Sequence, residues 1–252
     1  MGKRVTLLHF PTILVLLALL PAGCATRGST APQYPTAAQT GRRVEGTKGW
    51  WYVRFKMAWP EGAEPSWYLD LILAHRVVSP ILRQFEKDLE LWRFHRRAVR
   101  DQAGHQFSFI FFAPSATAQM VYAKVTISDA LAQLSNAGLV AAVSYDSPRN
   151  IAKPNIEDTS DPNWSPDLQK AWPYFVMGAS ETWLRLIELH VQPVPGSARC
   201  KSLQDLQALY AAANDSIDRL WQKEGSHAFL HHLNAIFGYV PVQFYEKRQI
   251  SF

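Results

Sequence analysis

The chain has 252 residues, 48% hydrophobic and 19% charged, with nine Trp, nine Tyr and thirteen Phe. That composition excludes disorder over the whole length and allows one large domain or one domain with a helical appendage. The formal charge is +5; residues 1–23 hold Lys3 and Arg4 and no acid, so the remainder carries 24 basic against 21 acidic groups. A surplus that small gives no argument for a nucleic-acid partner.

The chain begins with a basic end, an apolar run from Val5 to Leu20, and Pro21-Ala22-Gly23-Cys24. This is the pattern of a secretory signal, and the run is short for a membrane span. Ala22-Gly23-Cys24 resembles the lipobox of bacterial lipoproteins, although Pro21 stands where the family usually has Leu. The resemblance implies a signal peptide over 1–23 and a mature chain anchored to a membrane by lipid on Cys24. Ala25 rather than Asp follows the Cys, which by the same resemblance points to the outer membrane, facing the periplasm. An ordinary cleaved signal and an uncleaved anchor are the alternatives. The one other cysteine, Cys200, has no internal partner if Cys24 is lipidated, so no disulfide framework is expected. Residues 24–48 read as a flexible tether with a reach of about 25–30 Å.

The body, 49–252, reads as a single α+β domain. Trp51, Val53, Phe55 and Met57 alternate with Tyr52, Arg54 and Lys56, which predicts a half-buried strand. A helix capped by Ser66 follows, with Leu69, Leu73, Val77, Ile81 and Phe85 in one stripe and a kink or restart at Pro80. Leu91 to Ala98 and Gln106 to Phe112 form a predicted hairpin, with Trp92 and Phe94 alternating against Arg93, His95 and Arg97. A second helical region opens at Pro114-Ser115, is capped again at Ser128 and stops at Gly138. Val140 to Tyr145 is the fourth strand. The order over 49–147 is βαββαβ, that of a ferredoxin-like sandwich.

Residues 148–252 read as a loop and helical extension. The expected helices run from about Pro166 to His190, interrupted at Pro173, and from a capping box at Ser202 to Asp205 as far as Gly225. A short helix then runs from Ser226 to Gly238, and an extended stretch from Tyr239 to Phe252. Their apolar faces are expected to cover the second face of the sheet.

Arg54, Lys56, Arg93, His95 and Arg97 would share that second face and are the candidate ligand-binding residues. Guanidinium groups recognise carboxylate or phosphate through paired donors. Glu157, Asp158 and Asp161 could instead dock there and neutralise the layer. His227 and His231 share a helix face and are weak metal candidates, with His190 a guess at a third ligand; no Glu stands where a zinc protease carries its base. Asp158, Asp161, Asn163 and Asp167 lack the glycine and terminal Glu of a calcium loop. Trp50, Trp59 and Trp164 are the rings expected at the surface, where they could stack on a glycan. No cofactor is indicated.

The body also resembles the thiopeptide-type bacteriocin biosynthesis domain, the kind that removes glutamate in lantibiotic dehydratases. The likeness lies in Trp51-Tyr52-Val53-Arg54, in Trp92-Arg93-Phe94-His95-Arg96-Arg97 with Gly104-His105, and in Ser226-His227 with Asn234, scattered over 50–240. Phe107-Ser108-Phe109 replaces that family's paired Arg, and the family is cytoplasmic, whereas this leader directs export. The resemblance therefore implies a likeness of fold and no activity.

The function expected from the sequence is a non-enzymatic binding or scaffolding module of the cell envelope. Its partner would be an envelope protein, a glycan or an anionic ligand. The alternative is an enzyme in which Arg54, Arg93 and His95 hold an acidic substrate and His95 or His227 serves as acid or base.

Overall fold

The computed structural model describes residues 48–192 and 202–240. The signal peptide, Cys24, the tether up to residue 47, Cys200 and residues 241–252 of the expected C-terminal strand lie outside the described residues. Strand β1 (Lys48–Met57), β2 (Leu91–Ala98), β3 (His105–Pro114) and β4 (Val140–Tyr145) form one antiparallel sheet in the order β2-β3-β1-β4. The protein is thus α+β.

Alternation decides which way each strand faces. Trp51, Val53, Phe55 and Met57 of β1 meet Phe107, Phe109 and Phe111 of β3 and Phe94 of β2 on one buried face. Helices close over it from α1 (Tyr68–Ile72), α2 (Ser79–Gln84), α3 (Ser115–Thr126) and α4 (Asp129–Asn136). Burying each such large apolar side chain is worth about 1.5–3 kcal/mol. Ser128 accepts the Leu131 N–H as the N-cap of α4, and Gly138 turns away at φ 71°, both as the sequence predicts.

The first helix differs from its expectation in two ways. Ser66 makes no side-chain cap; the N-cap position is Trp67, without a side-chain bond. The Pro80 kink is a π-helical turn, Leu73–Val78, which joins α1 to α2 without a break. Proline has no N–H to donate and crowds the preceding turn, and the widened turn, in which the Ser79 N–H reaches Ala74 O, accommodates it.

Helix α5 (Pro166–His190) continues through Pro173 rather than stopping there. Pro173 cannot donate to the carbonyl of Gln169, and the Ser160 hydroxyl supplies that bond instead at 2.6 Å. Helix α6 (Leu203–Leu220) begins with the capping box of Ser202 and Asp205. It passes Gly225 through two π-helical turns into α7 (Leu233–Ile236), so Gly225 does not end it. Gly238, at φ 71°, follows the last turn.

The placement of the C-terminal helices corrects the sequence reading. Helix α6 packs on α1, with Tyr210 against His75 and Gln207 against Tyr68. Helix α5 runs along the β2 edge: Trp183 meets Phe94 edge-on, Leu184 and Ile187 enter the main core, and Ser180 Oγ accepts the Phe94 N–H at 3.1 Å. Neither helix covers the cationic rows of the second sheet face, which offer little apolar area in return for desolvation; Met177 of α5 reaches only its apolar end. Among the described residues no helix is long and apolar enough to cross a membrane.

Candidate functional site

The register of the three pairings lays out the second face row by row. Leu91, Phe112 and Trp50 form the first row, then Arg93, Ile110 and Tyr52. His95, Ser108, Arg54 and Ser144 form the third, then Arg97, Gln106, Lys56 and Ala142. All five basic residues singled out in the sequence therefore lie on one face, on strands two spacings apart and over three successive rows.

The face is apolar at one end and cationic at the other. Trp50 packs with Leu91, Ile110 and Phe112 in a second small core, joined by Ile156 and Met177. Trp50 is 2% exposed and donates to the carbonyls of Asn155 and Ile156, which corrects its placement at the surface; Trp59 and Trp164 are half-buried. The loop carrying these carbonyls also accepts the Trp50 N–H at Lys153. A Cβ on Gly49 would overlap the Ile151 side chain, so glycine is what admits the loop there. This loop shuts the apolar end and stops short of the last two rows.

The acids that meet the basic layer are not the expected ones. Arg54 pairs with Asp146 at 2.7 Å and Arg97 with Asp101 at 2.5 Å. The Arg97 hydrogen bond holds the Asp101 carboxyl below the usual carboxylate range. Lys56 donates to the Gln102 carbonyl. Asp158 is spent in a capping box with Asn155, and Asp161 in a turn with Asn163. The expected neutralisation by Glu157, Asp158 and Asp161 thus gives way to two pairs at the rim, where strand ends bring Asp101 and Asp146 within reach.

At the centre the cations are less satisfied. Arg93 donates one Nη to the Thr159 carbonyl at 3.2 Å, and its Nε is buried without a partner. His95 is exposed and makes no hydrogen bond among the described residues. Partial desolvation, with Arg93 and Arg97 on either side, holds its imidazole below the ordinary histidine value. Arg54 and Lys153 both lie over the Tyr52 ring, at 4.3 and 5.0 Å, and Lys153 Nζ also donates to the Tyr52 hydroxyl. The arrangement offers spare N–H donors and positive potential in a shallow, open site. It contains no nucleophile paired with a base.

The metal candidates sit elsewhere. The rings of His227 and His231 stack nearly parallel, with centroids 5.0 Å apart, on the continuation of α6. Among the described residues no group of three or more His, Cys, Asp or Glu is placed to hold a metal, His190 included. A cleft of about 360 Å³ lies between α2, α5 and Trp92. Its Arg83, Arg185, Glu181 and Glu188 pair with one another, and it holds none of the candidate residues.

The sequence reading missed a buried ionic cluster beneath the main core face. Asp70 is 0% exposed; its carboxylate accepts from Arg96 Nε at 2.8 Å and meets His105 Nε2 at 3.1 Å. The Arg96 guanidinium lies over Trp67 and Trp183 and reaches Asn214. The signal was present in the strand phase. Arg96 falls on the same side as Trp92 and Phe94, where a cation requires a buried partner. Asp70, inside Leu69-Asp70-Leu71-Ile72, is the matching anomaly in the helix.

No protein family, curated protein or solved structure matches the chain.

Proposed function

We propose that the protein is a lipid-anchored, non-enzymatic binding module of the cell envelope that takes an anionic ligand on its uncovered sheet face. The observation that carries this reading is the register that lines up Arg54, Lys56, Arg93, His95 and Arg97, with His95 exposed and without a hydrogen bond among the described residues. A carboxylate or phosphate satisfies such donors through charge-assisted bonds. The anchor rests on the lipobox-like Ala22-Gly23-Cys24, which would hold the domain near the periplasmic surface of the outer membrane. The ferredoxin-like assignment belongs to the same proposal, supported by the βαββαβ element order and a sheet covered by helices on one side. The enzymatic alternative finds less support, since His95 is exposed on an open face and His227 stands on a different element.

Calorimetric titration of the full chain with succinate tests the ligand reading. Arg93→Gln should weaken binding about tenfold or more with little change in thermal unfolding. Unchanged affinity in that variant would remove the face as the site. Mass spectrometry of the protein extracted from its own membranes tests the anchor. A chain starting at Cys24 with added acyl mass supports it, and an unlipidated chain contradicts it.

A further inference from the structure

The two edges of the sheet are treated differently. The β2 edge lies under α5, and Ser180 takes up the outward N–H of Phe94. Among the described residues the β4 edge has no neighbouring strand. Asp146 N–H donates to Tyr52 O, and residues 52 and 146 continue the register of Val53 with Tyr145 and Arg54 with Ser144. Hydrogen-bonded and non-hydrogen-bonded pairs alternate in an antiparallel ladder. The backbone groups of Ala142 and Ser144 therefore face β1, and the N–H and C=O of Val143 face outward. Among the described residues nothing bonds Val143 from outside.

Exposed edges normally carry devices that discourage pairing: Lys, Pro, an inward-pointing charge or a covering segment. Val140-Ala141-Ala142-Val143-Ser144-Tyr145 has no charged residue and no proline, and the one irregularity of its pairing, a register shift at Lys56/Met57, lies at its Val140 end, away from Val143. On the basic face β4 presents only Ala142 and Ser144, both exposed. Their register partners on β1 are Lys56 and Arg54. A strand added outside β4 would lie about 10 Å from β1, two strand spacings away. The short Ala142 and Ser144 side chains leave that interval open as far as Asp146, which occupies the next position and pairs with Arg54, so a carboxylate on an added strand reaches Arg54 in competition with Asp146. A Glu on the added strand, pointing to the basic face, extends across the interval toward Lys56 and Arg54. An added Lys at the same position would meet like charge.

We propose that β4 is a strand-addition edge that accepts an extended acidic peptide, with the peptide's backbone pairing to Val143 and its carboxylates lying on the Arg/Lys face. Main-chain bonds give such a mode its affinity, and side chains on alternate positions give its specificity. This inference rests on the anion-binding reading of the face and names the ligand class for it.

The test uses the full chain and a fluorescent peptide of alternating Val and Glu, read by anisotropy. Two further versions carry N-methyl groups on one or the other alternate set of amides, and a fourth replaces Glu with Lys. The expected result is binding of the Val–Glu peptide. One N-methyl phase should lose about tenfold or more while the other binds normally, and the Lys peptide should not bind. Ala142→Glu should weaken the Val–Glu peptide by a similar factor without lowering the unfolding temperature, since residue 142 is exposed. Equal binding of the two N-methyl phases, with Arg54→Gln and Lys56→Gln still weakening binding, would overturn the edge and leave the anion-binding reading of the basic face standing. Equal binding in the two charge variants would overturn both readings. No binding of the Val–Glu peptide, or β4 occupied by a second copy of the chain in solution, overturns the proposal.

Discussion

Asp70 meets the Arg96 guanidinium and the His105 ring with no exposure to solvent, so its carboxylate holds together three elements: α1, β2 and β3. Asp70→Ala would leave the Arg96 guanidinium without its counter-ion and His105 Nε2 without its partner. The expected loss is about 3–5 kcal/mol in urea unfolding. A loss below about 1 kcal/mol would mean that water replaces the carboxylate easily. The histidines carry a second expectation. Burial holds His75 below the ordinary value, and desolvation with its arginine neighbours does the same for His95. The unfolded chain therefore takes up these protons before the folded chain does. Their contribution is intact above the ordinary value of about 6.5 and declines as the pH falls through it. Thermal unfolding of the full chain should shift downward between about pH 7.5 and 5.5, and less so in His95→Gln. At this scale the sequence was legible wherever one residue's phase settled its face, as for Arg54, Arg93 and His95. At Asp70 and Arg96 the local pattern marks each charge as an anomaly on an apolar face, but not that the two pair with each other and with His105, because the partners come from three separate segments.

Prolines and their replacements set the character of the elements. The alternation and capping signals anticipate the four strands, the Ser128 cap and the Ser202 capping box because those features are local. Pro80 and Pro173 read as breaks because each removes an N–H, yet both helices continue. In one case the backbone widens into a π-turn, and in the other a distant hydroxyl takes over the orphaned carbonyl. That second remedy is a tertiary contact between the 148–165 loop and α5, invisible in sequence. It can be tested directly: Ser160→Ala leaves the Gln169 carbonyl without its partner and should cost about 1 kcal/mol. Hydrogen exchange around residues 155–160 should quicken in the same variant. Unchanged stability and exchange would show that the hydroxyl is incidental to Pro173.

Among the described residues the main apolar core lies on one face of the sheet, and the other face runs from a small apolar cluster to a layer of cations. The helices gather on the aromatic side because that is where apolar area can be buried, and the last long helix finds its surface on α1 rather than on the second face. The expectation of a sheet covered on both sides assumed that every helix needs the sheet, whereas a layer of helices also offers an apolar surface. What remains open is the row of cations that we assign to ligand binding, on a domain expected to sit within a tether's length of the membrane. His95 reports on that assignment most directly, since its imidazole stands between Arg93 and Arg97 and is held low by partial desolvation and by their charge. A dianion bound beside it offsets their charge and raises its pKa, so binding takes up a proton and strengthens as the pH falls. The deciding measurement is the His95 ring titration by NMR in the full chain, with and without saturating succinate. The account predicts an upward shift in the midpoint that disappears in Arg93→Gln. A midpoint indifferent to succinate would contradict it.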